Sequence, residues 1–329
     1  MRMTVTSPTT FSSSFLAVAI AAICSWALLR ALIPLLRNRL LDEPTHRSSH
    51  IQATPRGGGI VFVVIFLLAS ALASQQQSFS GVIALPFILL PLALVGLLDD
   101  RQNLPARWRY IVQLITAVIL VAPLGAPWVF WPFLLIAVTA VINFTNFMDG
   151  VDGLVAGCMV VALSTASLYL QAPWPLWALV GGLLGFLVWN WSPAKVFMGD
   201  VGSTFLGAAF VGLVLKAETV PEAFGLLLVA TPLLADACFC VPRRLLARQS
   251  VWQAHRLHLF QRLHQAGWSH ARVACLYIIA TAVMAMTLLI YGWRAVLLLA
   301  IIVILLWLWL DQRVALPFEL ASKQSGQSR

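Results

Sequence analysis

The sequence predicts an all-α, polytopic membrane bundle of about eleven transmembrane helices, and three observations carry that expectation. Sixty per cent of the 329 residues are hydrophobic and ten per cent are charged, against about 25% charged in a typical soluble domain. Apolar stretches recur at the length a helix needs to cross a bilayer, roughly 20 residues. Basic residues alternate from one side of these stretches to the other, as they do around membrane spans.

Taken in order, the expected spans are 14–36, 58–74, 79–98, 110–126, 129–145, 154–170, 175–190, 204–217, 221–241, 271–290 and 294–311. The first follows a start with one arginine and is too long for a secretory signal, so it reads as an anchor. With the N-terminus outside and the C-terminus inside, seventeen basic residues fall on the inner side and three on the outer: Arg2, Lys216 and Arg294. Arg30 lies within the first span near its inner end, where its head can snorkel. The net charge of +9 is therefore an orientation signal, and no nucleic-acid partner is expected. Asp42, Glu43, Asp99, Asp100, Asp149, Asp152 and Asp200 sort to the same inner side. That side reads as the working face, in one multi-span domain (1–311) with inner loops at about 37–57, 99–109, 146–153, 190–203 and 242–270. A polar tail, 312–329, follows. Ionisable groups confined to one face disfavour a transporter or flippase, which would place them at mid-membrane.

Five polar stretches carry the chemistry. "ATPRGGG" (53–59) has three glycines whose exposed N–H groups could cradle phosphate. They could equally be a loose helix entry. In "GLLDDRQNLPARWRY" (96–110), Asp99 and Asp100 end an apolar helix at its electronegative terminus, so a cation or a proton must offset them. Arg101, Arg107 and Arg109 are at hand. In "NFTNFMDGVDGL" (143–154), Asp149 and Asp152 are three apart, as are Asn143 and Asn146. On a helix each pair shares a face, and these hard oxygen ligands suit Mg²⁺. In "NWSPAKVFMGDVGS" (190–203), Asp200 sits between glycines before an apolar run. It is either a phosphate-side acid or a helix cap. In "AHRLHLFQRLHQAG" (254–267), His255, His258 and Arg262 fit one helical edge facing an anionic diphosphate, or an interfacial helix on anionic lipid. There is no HExxH zinc motif. Cys238 and Cys240 form a CxC without a second pair, which does not make a zinc motif either. His46, His50, His264 and His270 read as solvent or headgroup contacts. Together, acids, basic donors and glycines on one membrane face point to metal-assisted transfer of a phosphorylated group, with a lipid as a candidate acceptor.

These segments, in this order over about residues 14–310, resemble the polyprenyl-phosphate N-acetylhexosamine-1-phosphate transferase family (glycosyltransferase family 4 type). The resemblance implies transfer of a HexNAc-1-phosphate from a UDP-N-acetylhexosamine to undecaprenyl phosphate, with release of UMP, at the cytoplasmic face of the bacterial inner membrane. It implies Mg²⁺, with Mn²⁺ as a substitute, and allows a homodimer. By the same resemblance Asp99, Asp100, Asp149 and Asp152 are catalytic. Asp200 is the metal ligand, and Asn146, Asn190, His255, His258, Arg262 and Arg56 bind substrate. The spaced pattern HRLHLFQRL, without consecutive histidines, is closer to the branch initiating O-antigen and other surface glycans. The alternative is the phospho-MurNAc-pentapeptide branch.

Overall fold

The computed structural model describes residues 8–44, 52–76, 79, 81–249 and 255–324. Arg2, His46, Arg47, His50, Ala254 and Arg329 lie outside the described residues. The fold is a helical bundle, and every expected apolar stretch is helical. Among the described residues six helical segments are long and apolar enough to cross a membrane: α1 (Pro8–Arg39), α3 (Gly81–Gln102), α4 (Ala106–Val121) with the turn that extends it to Leu124, α5 (Trp131–Phe147) with the turn that starts it at Trp128, α12 (His270–Tyr291) and α13 (Trp293–Arg313). Four shorter apolar helices complete the set: α2 (Ile60–Ala73), α6 (Leu154–Tyr169), α7 (Trp174–Asn190) and α8 (Asp200–Val214). The chain is a polytopic membrane protein. Leu68, Phe133, Ile136, Ile279, Leu298 and Ile302 are each at least 60% exposed on the bundle surface, an apolar exterior that lipid, and not water, accommodates.

The short helices form the interior. Every residue of α8 after Asp200 is buried, and α8 packs against α3, α5 and α6. Its N-terminus therefore lies at the centre of the bundle's polar end.

The expected single span over 221–241 is not one helix. It divides into α9 (Val220–Val229) and α10 (Thr231–Leu246), which meet at 82°. The cause is local. Pro232 has no N–H to give the Leu228 carbonyl and its ring crowds that turn, while the Thr231 hydroxyl donates to the Leu228 carbonyl instead, at 2.6 Å.

Two further departures concern polar segments. Residues 148–153 form a turn between α5 and α6, so Asp149 and Asp152 do not share a helix face. The polar tail is partly helical. It folds back as α14 (Phe318–Gln324) with Phe318, Ala321 and Ser322 buried, and the guanidinium of Arg243 lies 4.3 Å from the centroid of the Phe318 ring. A two-stranded hairpin, β1 (Leu41–Asp42) against β2 (Thr54–Pro55), is the only sheet among the described residues. From β2 the glycine segment runs along residues 197–198. The Phe197 N–H donates to Pro55 O at 2.8 Å, and Gly58 and Gly59 N–H donate to Phe197 and Met198 carbonyls at 2.9 Å each. This pairing carries Arg56 to the polar end of the bundle.

Candidate active site

The paired acids end α3 where the helix dipole is least hospitable to them, and each finds a different remedy. Asp99 accepts from the Leu104 N–H at 2.6 Å and from the Arg109 guanidinium at 2.9 Å. Asp100 accepts from the backbone N–H groups of Asp200 and Val201 at 3.0 and 3.2 Å. It thus caps the N-terminus of α8, the end that favours an anion. Cross-capping needs α3 and α8 in close approach. A Cβ at Gly96 would lie 2.6 Å from Asp200 O, so only glycine fits. Gly199, at φ +74°, turns the chain into α8 in the left-handed region that favours glycine.

Because Asp100 supplies the cap, the Asp200 side chain is released from that task. One of its oxygens accepts from Asn146 Nδ2 at 2.9 Å and the other from Arg109 at 3.2 Å. Asn146 also reaches the Ser203 hydroxyl at 2.9 Å. Asn143, its sequence partner, pairs with Gln113 instead.

These groups surround a cavity of about 220 Å³ lined by Asp42, Arg56, Asp100, Asn146, Asp149, Asp152, Asn190, Asp200, Gln261 and His270, among others. A smaller cavity of about 40 Å³ adjoins it, sharing Asn146 and Asp200 and walled by Leu92, Val95, Arg109, Tyr110 and Phe147. Asp99 lines neither and acts on the second through Arg109. Asn190 is largely spent on structure: its Oδ1 accepts from Gly153 N–H at 3.1 Å and its Nδ2 donates to Val196 O at 3.0 Å. Arg56 has a buried Nε without a hydrogen-bond partner, a donor held in reserve beside the cavity.

His255, His258 and Arg262 are not brought to either cavity, and they do not share a helical edge. The helix α11 (Leu259–Gln265) starts only after His258. His258 is buried with its Nδ1 3.3 Å from Asp236 Oδ1. Arg262 is buried too, paired with Asp311 and donating to Leu316 O at 2.8 Å. Asp236 sets this arrangement, accepting from Leu259 N–H, Phe260 N–H and the Tyr277 hydroxyl at 2.8, 3.0 and 2.8 Å. The residue that α11 turns toward the large cavity is Gln261. Burial, with His258 and Arg244 alongside, pushes the His255 imidazole down to about 2, so it is neutral.

His270, which the sequence left to solvent, lines the cavity with its Nδ1 3.2 Å from Asp152 Oδ1. The available signal was its place just after Ser269, whose hydroxyl caps α12 by accepting from the Arg272 N–H at 3.2 Å.

Electrostatically the cavity is an acid cluster. Burial first, then the charges of Asp200, Asp100 and Asp152, push the Asp149 carboxyl up from 3.8 to about 8. Burial alone would raise Asp152 as well. The His270 hydrogen bond and charge, with donors from Ala194 and Ser192, outweigh it and hold Asp152 below its ordinary value. Five carboxylates facing Arg56 and His270 form a hard-oxygen donor set suited to a small divalent cation.

A pH dependence follows. An acid whose folded value is raised destabilises the cation-free fold as pH climbs from its unfolded value, 3.8, towards about 8. A cation that displaces the Asp149 proton removes that penalty. Apparent Mg²⁺ affinity should therefore rise about tenfold per pH unit from pH 6 and level off near 8. Calorimetric titration in two buffers of different ionisation enthalpy should report close to one proton released at pH 7. Asp149→Asn should flatten the pH slope.

The sequence model described as "Glycosyl transferase family 4" matches residues 82–218. The "Decaprenyl-phosphate N-acetylglucosaminephosphotransferase" of Mycobacterium leprae is 31% identical over 77% of this chain and 78% of its own length. A "Phospho-N-acetylmuramoyl-pentapeptide-transferase" of Synechococcus is 31% identical over 75% of this chain and 83% of its own. The "Probable undecaprenyl-phosphate N-acetylglucosaminyl 1-phosphate transferase" of Bacillus subtilis is 28% identical over 70% and 71%. With relatives of this identity and coverage, and with Asp100, the DGVDG turn and Asp200 joined in one pocket, this chain belongs to the polyprenyl-phosphate N-acetylhexosamine-1-phosphate transferase family.

Proposed function

We propose that this chain transfers a HexNAc-1-phosphate from a UDP-N-acetylhexosamine to undecaprenyl phosphate, releasing UMP, as the first step of a lipid-linked surface glycan such as O-antigen. The working face is the cytoplasmic side of the bacterial inner membrane, in a bundle of eleven spans with α9 and α10 forming one broken span. The observation that carries this reading is the meeting of Asp100, Asp149, Asp152 and Asp200, from three separate segments, around one cavity.

A phosphate oxygen of the acceptor attacks the β-phosphorus of the donor. The bond from that phosphorus to the bridging oxygen breaks, and the electron pair leaves with UMP. The acceptor phosphate is already mostly ionised at neutral pH, since its second pKa is about 6, so positioning matters more than a strong base. The smaller cavity, apolar on its α3–α5 walls with Arg109 at its edge, is the acceptor side. Asp99 orients Arg109 there. Arg56, with its unpartnered donor, together with Gln261 and His270, faces the donor diphosphate in the larger cavity. His255, His258 and Arg262 support that wall from behind, and Asn190 holds the turn at Gly153. Asp100 fixes α8 so that Asp200 points inward. Asp200 would hold Mg²⁺, or Mn²⁺ in its place, and the ion would supply charge neutralisation to the diphosphate.

The test is UMP release by purified protein supplied with undecaprenyl phosphate and a panel of UDP-GlcNAc, UDP-FucNAc, UDP-QuiNAc and UDP-MurNAc-pentapeptide. Mg²⁺-dependent release with one of the first three supports the reading. Release with UDP-MurNAc-pentapeptide alone moves the chain to the peptidoglycan branch. No release with any donor, beside transbilayer movement of a lipid-linked sugar, would replace it with a flippase.

A further inference from the structure

We propose that Cys240, His255 and His258 form a second metal site, selective for a borderline-soft divalent cation such as Zn²⁺ and distinct from the acidic cavity. Each residue offers one ligand atom, and these atoms lie within 4.8 Å of one another. That is close to the spacing a tetrahedral ion bound at 2.0–2.3 Å requires, so small side-chain movements complete it. One thiolate and two imidazoles suit Zn²⁺ and not Mg²⁺, which takes oxygen ligands. The two donor sets on this chain therefore sort two different cations.

The surroundings are those of a built site. Cys240 and His258 are buried and His255 is half-buried, which gives an ion a way in from the His255 side. Asp236 Oδ1 stands 3.3 Å from His258 Nδ1, leaving Nε2 as the ligand nitrogen. A carboxylate on the far nitrogen is the usual support of a metal-bound histidine, fixing ring and tautomer. Asp236 is itself anchored by Leu259 N–H, Phe260 N–H and Tyr277, so the His258 ring is held on both sides.

The two imidazoles are stacked, with centroids 4.9 Å apart and planes at 24°. One ion cannot lie in the plane of both rings in that pose. His258 is pinned by Asp236, so His255 is the ring that turns when metal binds, giving up its 3.3 Å contact with the Leu257 N–H. The consequence is a cross-link from α10 to the start of α11. It would fix the helix that presents Gln261 to the larger cavity.

The experiment uses the full-length protein in detergent or nanodiscs, stripped with chelator and then titrated with Co²⁺ in excess Mg²⁺. The expected result is one Co²⁺ per chain, thiolate-to-cobalt charge-transfer absorption in the near ultraviolet, and displacement by Zn²⁺ but not by Mg²⁺. Cys240→Ser should abolish the charge-transfer band, and Cys238→Ser, an exposed neighbour, should keep it. His255→Ala, at the half-buried ligand, should keep the fold and weaken Co²⁺ binding more than about tenfold, as loss of a direct ligand should cost at least as much as the 10–100-fold seen for outer-shell partners. A wild-type protein without the band would overturn the proposal. So would a band that survives in Cys240→Ser, or Co²⁺ that Mg²⁺ competes away. The readout is spectroscopic, so it stands whether or not the transferase reading holds.

Discussion

Replacing Asp200 with alanine is expected to lower Mg²⁺-dependent UMP release about a thousandfold while leaving the melting temperature of the bundle nearly unchanged. The two halves of that expectation come from one geometric fact. Asp200 is the first residue of α8, where an acid would ordinarily serve as the cap, yet the cap bonds to Asp200 N–H and Val201 N–H come from Asp100. Truncating the Asp200 side chain therefore uncaps nothing, and alanine is the best helix former. The two donors it abandons retain other partners: Arg109 keeps Asp99, and Asn146 keeps the Ser203 hydroxyl. What is lost is the carboxylate shared by both cavities. Removing one preorganised electrostatic contact at a reacting centre costs about 10²–10³ in rate, and losing the main anchor for a cation belongs at the upper end. Initial rates of UMP release across an Mg²⁺ series, beside thermal unfolding of the same samples, check both halves. Activity within tenfold of wild type would remove Asp200 from the metal. A large fall in melting temperature would show that Asp200 is structural.

The same fact shows what a sequence can and cannot disclose. That Asp100, Asp149, Asp152 and Asp200 stand together at one end of the bundle, with Asp99 beside them on Arg109, was legible because acids abutting apolar runs are costly unless gathered in a polar site. Whether Asp100 or Asp200 caps α8 was not legible, because the cap crosses a hundred residues of sequence and depends on Gly96 admitting the backbone of Asp200. The break at Ala230 had a local sign in Pro232, but spans assigned by length pass over a bend that keeps its apolar content. The geometry of the histidine segment was hidden for a different reason. Which side of a seven-residue helix faces a cavity depends on where the helix begins. Here the beginning is set at Leu259 by Asp236, twenty-three residues earlier. A helix assumed to run through His255 puts His255, His258 and Arg262 on one edge. A helix that starts at Leu259 presents Gln261 and buries Arg262. The role of His270 was hidden likewise, because it needs Asp152 from a distant turn.

Asp236 is thus the residue on which the placement of α11 depends, and Asp236→Asn should be strongly destabilising. Its carboxylate receives four contacts: Leu259 N–H, Phe260 N–H, the Tyr277 hydroxyl and His258 Nδ1. Asparagine offers one acceptor oxygen, and its amide turns a donor toward groups that are themselves donors. Leaving a buried, hydrogen-bonded charge site half-satisfied costs about 3–5 kcal/mol, so a melting temperature lower by roughly 5–15 °C is expected. Tyr277→Phe deletes only one of the four contacts and should cost about 1–3 kcal/mol. In activity, Asp236→Asn should raise the KM for the UDP-sugar more than it lowers kcat, because α11 carries Gln261 into the cavity while Asp200, Asp100 and Asn146 stand on α8, α3 and α5. A fall in kcat at unchanged donor KM would place Asp236 in the chemistry itself. An unchanged melting temperature would mean that α11 is held by something other than this carboxylate.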